Sequence, residues 1–93
     1  LLDSLRDAGV DVSGVGLDAG AATGVAAIAV DDSGHNTIVV VPGANGRVSD
    51  ADIDRLVARL LPGDSLLLQF EVPLPAIIAA AKAAKAQGVT VIA

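Results

Sequence analysis

The chain has 93 residues, a net charge of −5 at pH 7 and 53% hydrophobic residues, of which only one is aromatic. This length allows one small domain with a thin core. The six basic residues are scattered along the sequence, which disfavours a nucleic-acid or anionic-membrane surface, since both need clustered cations. With no cysteine and one histidine, disulfides are excluded and a structural zinc site is disfavoured.

The first part of the chain predicts a helix, a short strand and a loop. Apolar residues at helical spacing indicate a helix over residues 1–8, and Gly9 suits its end. Apolar residues alternate with small or acidic ones over Val10–Val15, which predicts a short strand. The glycines and aspartate of Gly16–Ala22 then indicate a loop.

Two apolar segments, Thr23–Val30 and Asn36–Val41, predict a β-hairpin around the polar turn Asp31–His35. Neither segment alternates between apolar and polar residues, although a hairpin with one face in water should do so. Both faces therefore need cover. We expect the hairpin to be an interaction surface and the protein to form a homodimer through it.

The second half of the chain predicts alternating helices and strands. Strands joined by amphipathic helices imply right-handed crossovers and a parallel sheet, with the hairpin as an excursion from it. The predicted elements are a helix from the Ser49 cap to Pro62-Gly63, a strand over Ser65–Phe70, a helix from Pro73 or Pro75 to Gly88, and a strand over Val89–Ile92. On the second of these helices, the residues expected to face inward are Ile77, Ile78, Ala81 and Ala84. The fold class expected from this order is α/β.

Glu71 is the main candidate for a binding residue, because it follows the apolar run Leu66–Leu68, which predicts a strand buried on both faces, and precedes the start of a helix. Ligands of open α/β sheets bind just beyond the carboxyl ends of the strands. A carboxylate there can accept hydrogen bonds from sugar hydroxyls. A solvated loop acid fits the position equally well, and the sequence offers no partner that would make Glu71 a catalytic base.

Other polar groups are explained more simply without a ligand. Gly14–Ala19 fits the pattern G-x-G-x-x-A, but a hairpin follows it where a dinucleotide-binding fingerprint needs a helix. The N–H groups of Pro42–Gly46 can surround an anion, yet a plain turn is the simpler interpretation. His35 suits the hairpin turn in which it lies. The remaining acidic candidates suit the hairpin tip or a helix start and its solvent face: Asp31, Asp32, Asp50, Asp52 and Asp54.

Three segments, "AGVDVSGV", "TGVAAIAVDDSGHNTIVVVPGAN" and "LLLQFEVPLPAIIAAAKAAKAQGVTVIA", together resemble the central part of the ribokinase-like carbohydrate kinases, the family of ribokinase, adenosine kinase and fructokinase. The most specific parts are Thr23–Ala26, Gly43–Asn45 and Gln69–Glu71. The resemblance implies that residues 1–93 are one partial domain of a Rossmann-like, three-layer α/β fold with a parallel sheet.

The same resemblance implies a role for the hairpin and for three site residues. The hairpin, at about residues 22–42, would be a lid that closes over the sugar and clasps the lid of a second subunit as a β-clasp. Glu71 would accept a hydrogen bond from a sugar hydroxyl. Ala26 and Val40 would line the apolar side of the sugar.

The motifs that this family uses for chemistry are not among the 93 residues. The resemblance places Asn-x-Asp and Gly-Gly-Lys-Gly-Ala-Asn sugar motifs before them. It places an Asn-x-x-Glu magnesium motif and a Gly-Ala-Gly-Asp signature, with the catalytic base and an anion hole, after them. We therefore expect no catalytic, cofactor-binding or metal-binding residue in this chain, although full-length members use ATP and Mg²⁺. Val72 also replaces the capping serine often found in ribokinases.

Three interpretations follow from this pattern. The favoured one is a segment of a ribokinase-like sugar kinase, natural or excised as an engineered half, that is cytoplasmic, inactive alone and at most a weak sugar binder. The second is an intact kinase of which this is one piece. The third is a non-enzymatic scaffold, designed or reconstructed on the ribokinase pattern.

Overall fold

A computed structural model describes all residues 1–93. It contains three α-helices, four strands and a 3-10 helix. In chain order these are α1 (Leu2–Asp7), β1 (Val25–Val30), β2 (Asn36–Val41), the 3-10 helix (Gly43–Arg47), α2 (Asp50–Val57), β3 (Ser65–Leu67), α3 (Leu74–Ala86) and β4 (Thr90–Ile92).

The four strands form two separate sheets. Strands β1 and β2 pair antiparallel, with Val25 opposite Val41 and Val30 opposite Asn36. Strands β3 and β4 pair parallel, with Ser65 opposite Thr90. The predicted α/β class, the hairpin and the parallel pair joined through a helix are confirmed.

The core lies where α2 and α3 cover one face of the parallel pair. Four buried residues form its centre, and partly buried apolar residues surround them. The central residues are Leu66, Ala80, Ala84 and Val89, and the surrounding ones are Ile53, Leu56, Leu60, Leu68 and Val91. The small alanine side chains of α3 allow this helix to pack closely, while the larger side chains of Ile53 and Leu56 on α2 fill the space around them.

The opposite face of the parallel pair is uncovered. Successive residues of a strand point to opposite faces, and Leu67 and Ile92 are 73% and 52% exposed. Within residues 1–93 the parallel sheet therefore has one helical layer, and the expected third layer is not part of this chain. The predicted burial of Leu67 is wrong, because this residue lies on the face of the sheet that no helix of the chain covers.

Local hydrogen bonds explain a further difference from the predictions. Val10–Val15 was predicted as a strand but forms turns, because the Asp11 carboxylate accepts the N–H of Ser13 at 2.8 Å and Val15 donates its N–H to the Val12 carbonyl at 3.0 Å. Such bonds offer the backbone an alternative to strand pairing.

The helix boundaries are close to those predicted, except at the end of α2. The Asp52 carboxylate accepts hydrogen bonds from the N–H and hydroxyl of Ser49, each at 2.8 Å, which closes a capping box at the start of α2. Helix α2 ends at Val57, short of the predicted Pro62-Gly63. On α3, Ile77 is buried as expected, whereas Ile78 is 44% exposed.

The hairpin extends away from this core. All twelve residues of β1 and β2 are exposed on both faces. The radius of gyration is 15.8 Å, against roughly 12 Å for a compact chain of this length. None of the three α-helices combines the length and the apolar character that a membrane span requires.

Candidate functional site

The base of the hairpin is a close crossing of two backbone segments. Gly43 has φ of +55°, and a Cβ there would lie 2.4 Å from the Ala22 carbonyl oxygen. A Cβ on Gly24 would lie 2.6 Å from the Pro42 carbonyl oxygen. Ala44 also donates its N–H to the Ala22 carbonyl at 2.8 Å. The motifs around Gly24 and Gly43 therefore have a physical role, since only glycine allows this approach.

This crossing fixes where the lower part of the hairpin lies. Ala26 and Val40 are opposite each other in the strand register. Ala26 follows Gly24 by two residues and Val40 precedes Pro42 by two, so both lie close to the base of the hairpin. Paired residues of neighbouring strands point to the same face. Ala26 and Val40 therefore present one small apolar surface.

Glu71 lies in the loop that follows β3. The strand ends at Leu67, although Leu68 still donates its N–H to the Ile92 carbonyl at 2.8 Å. The Gln69 side-chain oxygen accepts the backbone N–H of Glu71 and shapes the turn. The Glu71 carboxylate makes no ion pair and no hydrogen bond within the chain. It is therefore an open hydrogen-bond acceptor.

The loop and the hairpin base meet around a cavity of about 260 Å³, here called the lid cavity. It brings together Glu71, Ala26 and Val40, the three residues that the resemblance assigned to one site. Its complete lining is Gly24, Val25, Ala26, Val40, Val41, Pro42, Asn45 and Glu71. A mainly apolar cavity with a few polar groups is typical of small-molecule sites.

Asn45 is a lining residue that the sequence reasoning did not identify. It belongs to the segment Pro42–Gly46, which was interpreted as a turn, and it lies in the 3-10 helix. Its amide can both donate and accept hydrogen bonds, whereas the Glu71 carboxylate can only accept them. Together they are the polar side chains of the lid cavity. The presence of Asn45 in one of the three specific motifs was the available signal.

The other polar candidates lie elsewhere. At the hairpin tip the Asp31 carboxylate accepts the N–H groups of Ser33 at 2.8 Å and His35 at 2.9 Å, and the His35 ring nitrogen lies 3.2 Å from it. The backbone bond from His35 lowers the pKa of Asp31. Gly14–Ala19 forms a loop with no helix directly after it. These groups are accounted for by local turns.

Comparison with known proteins confirms the predicted family and the α/β fold. The sequence model of the pfkB family of carbohydrate kinases matches residues 1–93. The chain therefore belongs to the pfkB carbohydrate kinase family.

Individual relatives place it near the ribokinases. The chain is 39% identical to the ribokinase of Staphylococcus aureus (strain COL) over 92 residues, which is 99% of this chain and 30% of that protein. Among solved structures, it is similar to Sa239, with 40% identity and a TM-score of 0.84, and to the ribokinase of Giardia lamblia, with 26% identity and a TM-score of 0.77. Each of these matches covers 97% of this chain and 30% of the solved one. The chain thus spans about 30% of the length of these relatives.

Proposed function

We propose that residues 1–93 form the lid and one wall of the sugar site of a ribokinase-like kinase, which transfers phosphate from ATP to ribose or a related sugar. The observation that carries this proposal is the lid cavity. Glu71, Ala26 and Val40 come from three different strands or loops, and all three line one space.

The chemistry of the lid cavity suits a sugar. Ribose has a polar edge of hydroxyl groups and an apolar face of C–H groups. The open Glu71 carboxylate accepts a hydrogen bond from a sugar hydroxyl, and the surface of Ala26 and Val40 packs against the C–H face. Phosphoryl transfer is catalysed by positioning and by stabilisation of charge. The role of these residues is to position the sugar, while ATP and Mg²⁺ are bound outside this segment.

The hairpin suits a lid that is shared between two subunits. Its strands are exposed on both faces, and a contiguous exposed apolar surface is typical of an interface. One face closes over the sugar, and the other packs on the hairpin of a second copy as a β-clasp. Without the rest of the kinase, the chain binds ribose weakly and turns over no ATP.

The test is to replace Glu71 in the complete natural protein that carries residues 1–93. Glu71→Gln keeps the size of the side chain and removes its charge. A hydrogen bond to a charged group contributes about 1.5–3 kcal/mol, so the ribose Kd should rise roughly 10- to 100-fold. Titration calorimetry with ribose, together with the KM for ribose in a kinase assay, measures this change.

Asp54→Asn is the matched control. Asp54 lies on α2, makes no side-chain hydrogen bond and is outside the lid cavity. Its variant removes the same charge and should leave the affinity for ribose unchanged. Equal ribose affinity in Glu71→Gln and the wild type would disprove the proposed role of Glu71.

A further inference from the structure

A second and larger cavity, of about 780 Å³, adjoins the lid cavity at Asn45, the one residue that lines both. It is enclosed by the loop 13–19, the end of the 3-10 helix and one side of α2. Three of the four arginines of the chain, Arg47, Arg55 and Arg59, line it. We call it the arginine cavity. The basic residues are scattered in sequence, but folding brings half of them to one place.

Each of these arginines is held by a carboxylate. The Arg47 Nε lies 3.0 Å from Asp18, and its Nη1 donates to the Gly20 carbonyl at 2.8 Å. Arg55 pairs with Asp52 one turn earlier on α2. These contacts fix the planes of the guanidinium groups, and fixed donors lose less entropy when a ligand binds.

Arg59 is held in the same way by the loop. Its Nη2 lies 3.2 Å from the Asp11 carboxylate and donates to the Ser13 hydroxyl at 2.6 Å. Asp11 itself is not part of the cavity lining. Arg59 therefore connects the end of α2 with the turn at Asp11 and Ser13.

Most N–H donors of the three arginines remain free of partners within the chain. A guanidinium group has five N–H donors, and at most two from each of the three arginines bond an acceptor within the chain. The three arginines are matched by three carboxylates, Asp18 and Asp52 in the lining and Asp11 on Arg59. The ion pairs are therefore balanced in charge, and the unused N–H donors are what a ligand can bind. Surface ion pairs contribute little to stability, so loop anchoring alone does not explain why three arginines share one cavity.

The shape and the remaining lining define the ligand. Arginine forks match the oxygen geometry of phosphate. Small-molecule cavities usually measure about 300–1,000 Å³, so this one has room for more than a bare phosphate ion. Val15, Leu17 and Leu56 add an apolar side. We propose that the arginine cavity binds a small phosphorylated molecule, with Arg47, Arg55 and Arg59 on its phosphate groups.

This site is independent of the proposed sugar-binding role. Glu71, Ala26 and Val40 line the lid cavity and not the arginine cavity. Glu71→Gln should therefore leave phosphate binding unchanged, and loss of an arginine should leave a ribose titration measurable. Failure of one proposal can thus be distinguished from failure of the other.

The experiment is a calorimetric titration of the complete natural protein with inorganic pyrophosphate, at constant ionic strength and without Mg²⁺. Arg55→Gln is the main variant, because Arg55 pairs only within α2 and its loss leaves the loop contacts in place. Arg47→Gln tests the contact from the 3-10 helix, and circular dichroism checks its folding. For each variant the pyrophosphate Kd should rise roughly 10- to 100-fold, since each loses charged hydrogen bonds.

Arg6→Gln is the matched control. Arg6 pairs with Asp3 on α1 at 2.7 Å and lies outside the arginine cavity. It carries the same charge, so its loss measures non-specific attraction and should leave the pyrophosphate Kd unchanged. The proposal is overturned if Arg6→Gln weakens binding as much as Arg55→Gln does, or if the wild type shows no saturation by about 10 mM pyrophosphate, well above a Kd of 1 mM.

Discussion

The hairpin and the β3–α3–β4 unit differ in how their apolar residues are used. All six buried residues of the chain lie between Leu66 and Val89. The two hairpin strands are at least as apolar in sequence, yet none of their residues is buried. Burial of apolar surface is the main favourable term in folding. The β3–α3–β4 unit therefore has a core of its own, whereas the hairpin is held by strand pairing and by the crossing at its base.

Apolar residues serve different purposes in these two regions. In the β3–α3–β4 unit, small alanines let a helix pack closely on the sheet. In the hairpin, valine and isoleucine stiffen the strands, since β-branched side chains suit the extended backbone, while they also form an exposed surface. A partner or a ligand that covers this surface gains binding energy at no cost to the rest of the fold.

The largest expected effect is in the core. Leu66→Ala should destabilise the chain by about 2–4 kcal/mol, because it removes a buried side chain and leaves a cavity. Leu67→Ala changes the neighbouring residue, which points to the uncovered face, and should alter stability by less than about 0.5 kcal/mol. Urea unfolding monitored by circular dichroism measures both. Equal effects of the two substitutions would mean that both faces of β3 are covered.

The next effect concerns the hairpin faces. Neighbouring strand residues point to opposite sides, so Val39 and Val40 belong to different faces. Val39→Asp should weaken the proposed homodimer roughly tenfold or more, because an unpaired carboxylate would be buried in the interface. Sedimentation velocity over a range of concentrations measures this change.

Val40→Asp is the counterpart of that substitution. Val40 lines the lid cavity, so a carboxylate there should lower ribose affinity and leave the dimer intact. If Val39→Asp leaves the dimer unchanged, or if both variants weaken it equally, the division of the hairpin into a sugar face and a partner face is wrong.

The smallest expected effect is the dependence of stability on acid. Hydrogen bonds from the backbone N–H groups of Ser13, His35 and Ser49 lower the pKa values of Asp11, Asp31 and Asp52, respectively. A carboxyl group with a lowered pKa in the folded state stabilises that state fully above its unfolded pKa. This stabilisation should be lost as the pH falls from about 3.8, the ordinary aspartate value, through the folded-state pKa.

Asp52→Asn isolates the contribution of the α2 cap. The variant should be less stable at neutral pH, since it lacks the charged acceptor of the capping box, and its stability should decline less between pH 5 and pH 2. Urea unfolding at several pH values provides the comparison. An unchanged slope in the variant would show that the capping carboxylate does not contribute to the acid dependence.

Local signals in the sequence were sufficient for much of the fold. The polar turn predicted the hairpin, and Ser49 and Gly88 predicted helix ends to within a few residues. The strand predicted at Val10–Val15 was wrong because Asp11 and Val12 accept local hydrogen bonds instead. Apolar patterns also predicted burial for Leu67 and Ile78, because such a pattern does not reveal which element covers a residue.

The candidate sites divide in the same way. Glu71, Ala26 and Val40 were named because they lie in motifs, and the structure places them around one cavity. Asn45 was missed as a lining residue because its segment was interpreted only as a turn. The arginine cavity was missed because its contacts span more than forty residues of sequence, from Asp11 and Ser13 to Arg59, and no periodic pattern connects them.

For the proposed sugar site, the glycine crossing at the base of the hairpin has a consequence for how sugar preference can diverge. The nearest atoms around Gly24 and Gly43 are main-chain atoms, apart from the Asn45 side-chain nitrogen beside Gly24, and none of them belongs to Ala26 or Val40. Substitutions at Ala26 or Val40 can then change the wall of the lid cavity without altering the crossing at its base. Selectivity and architecture are thereby free to evolve separately in this segment.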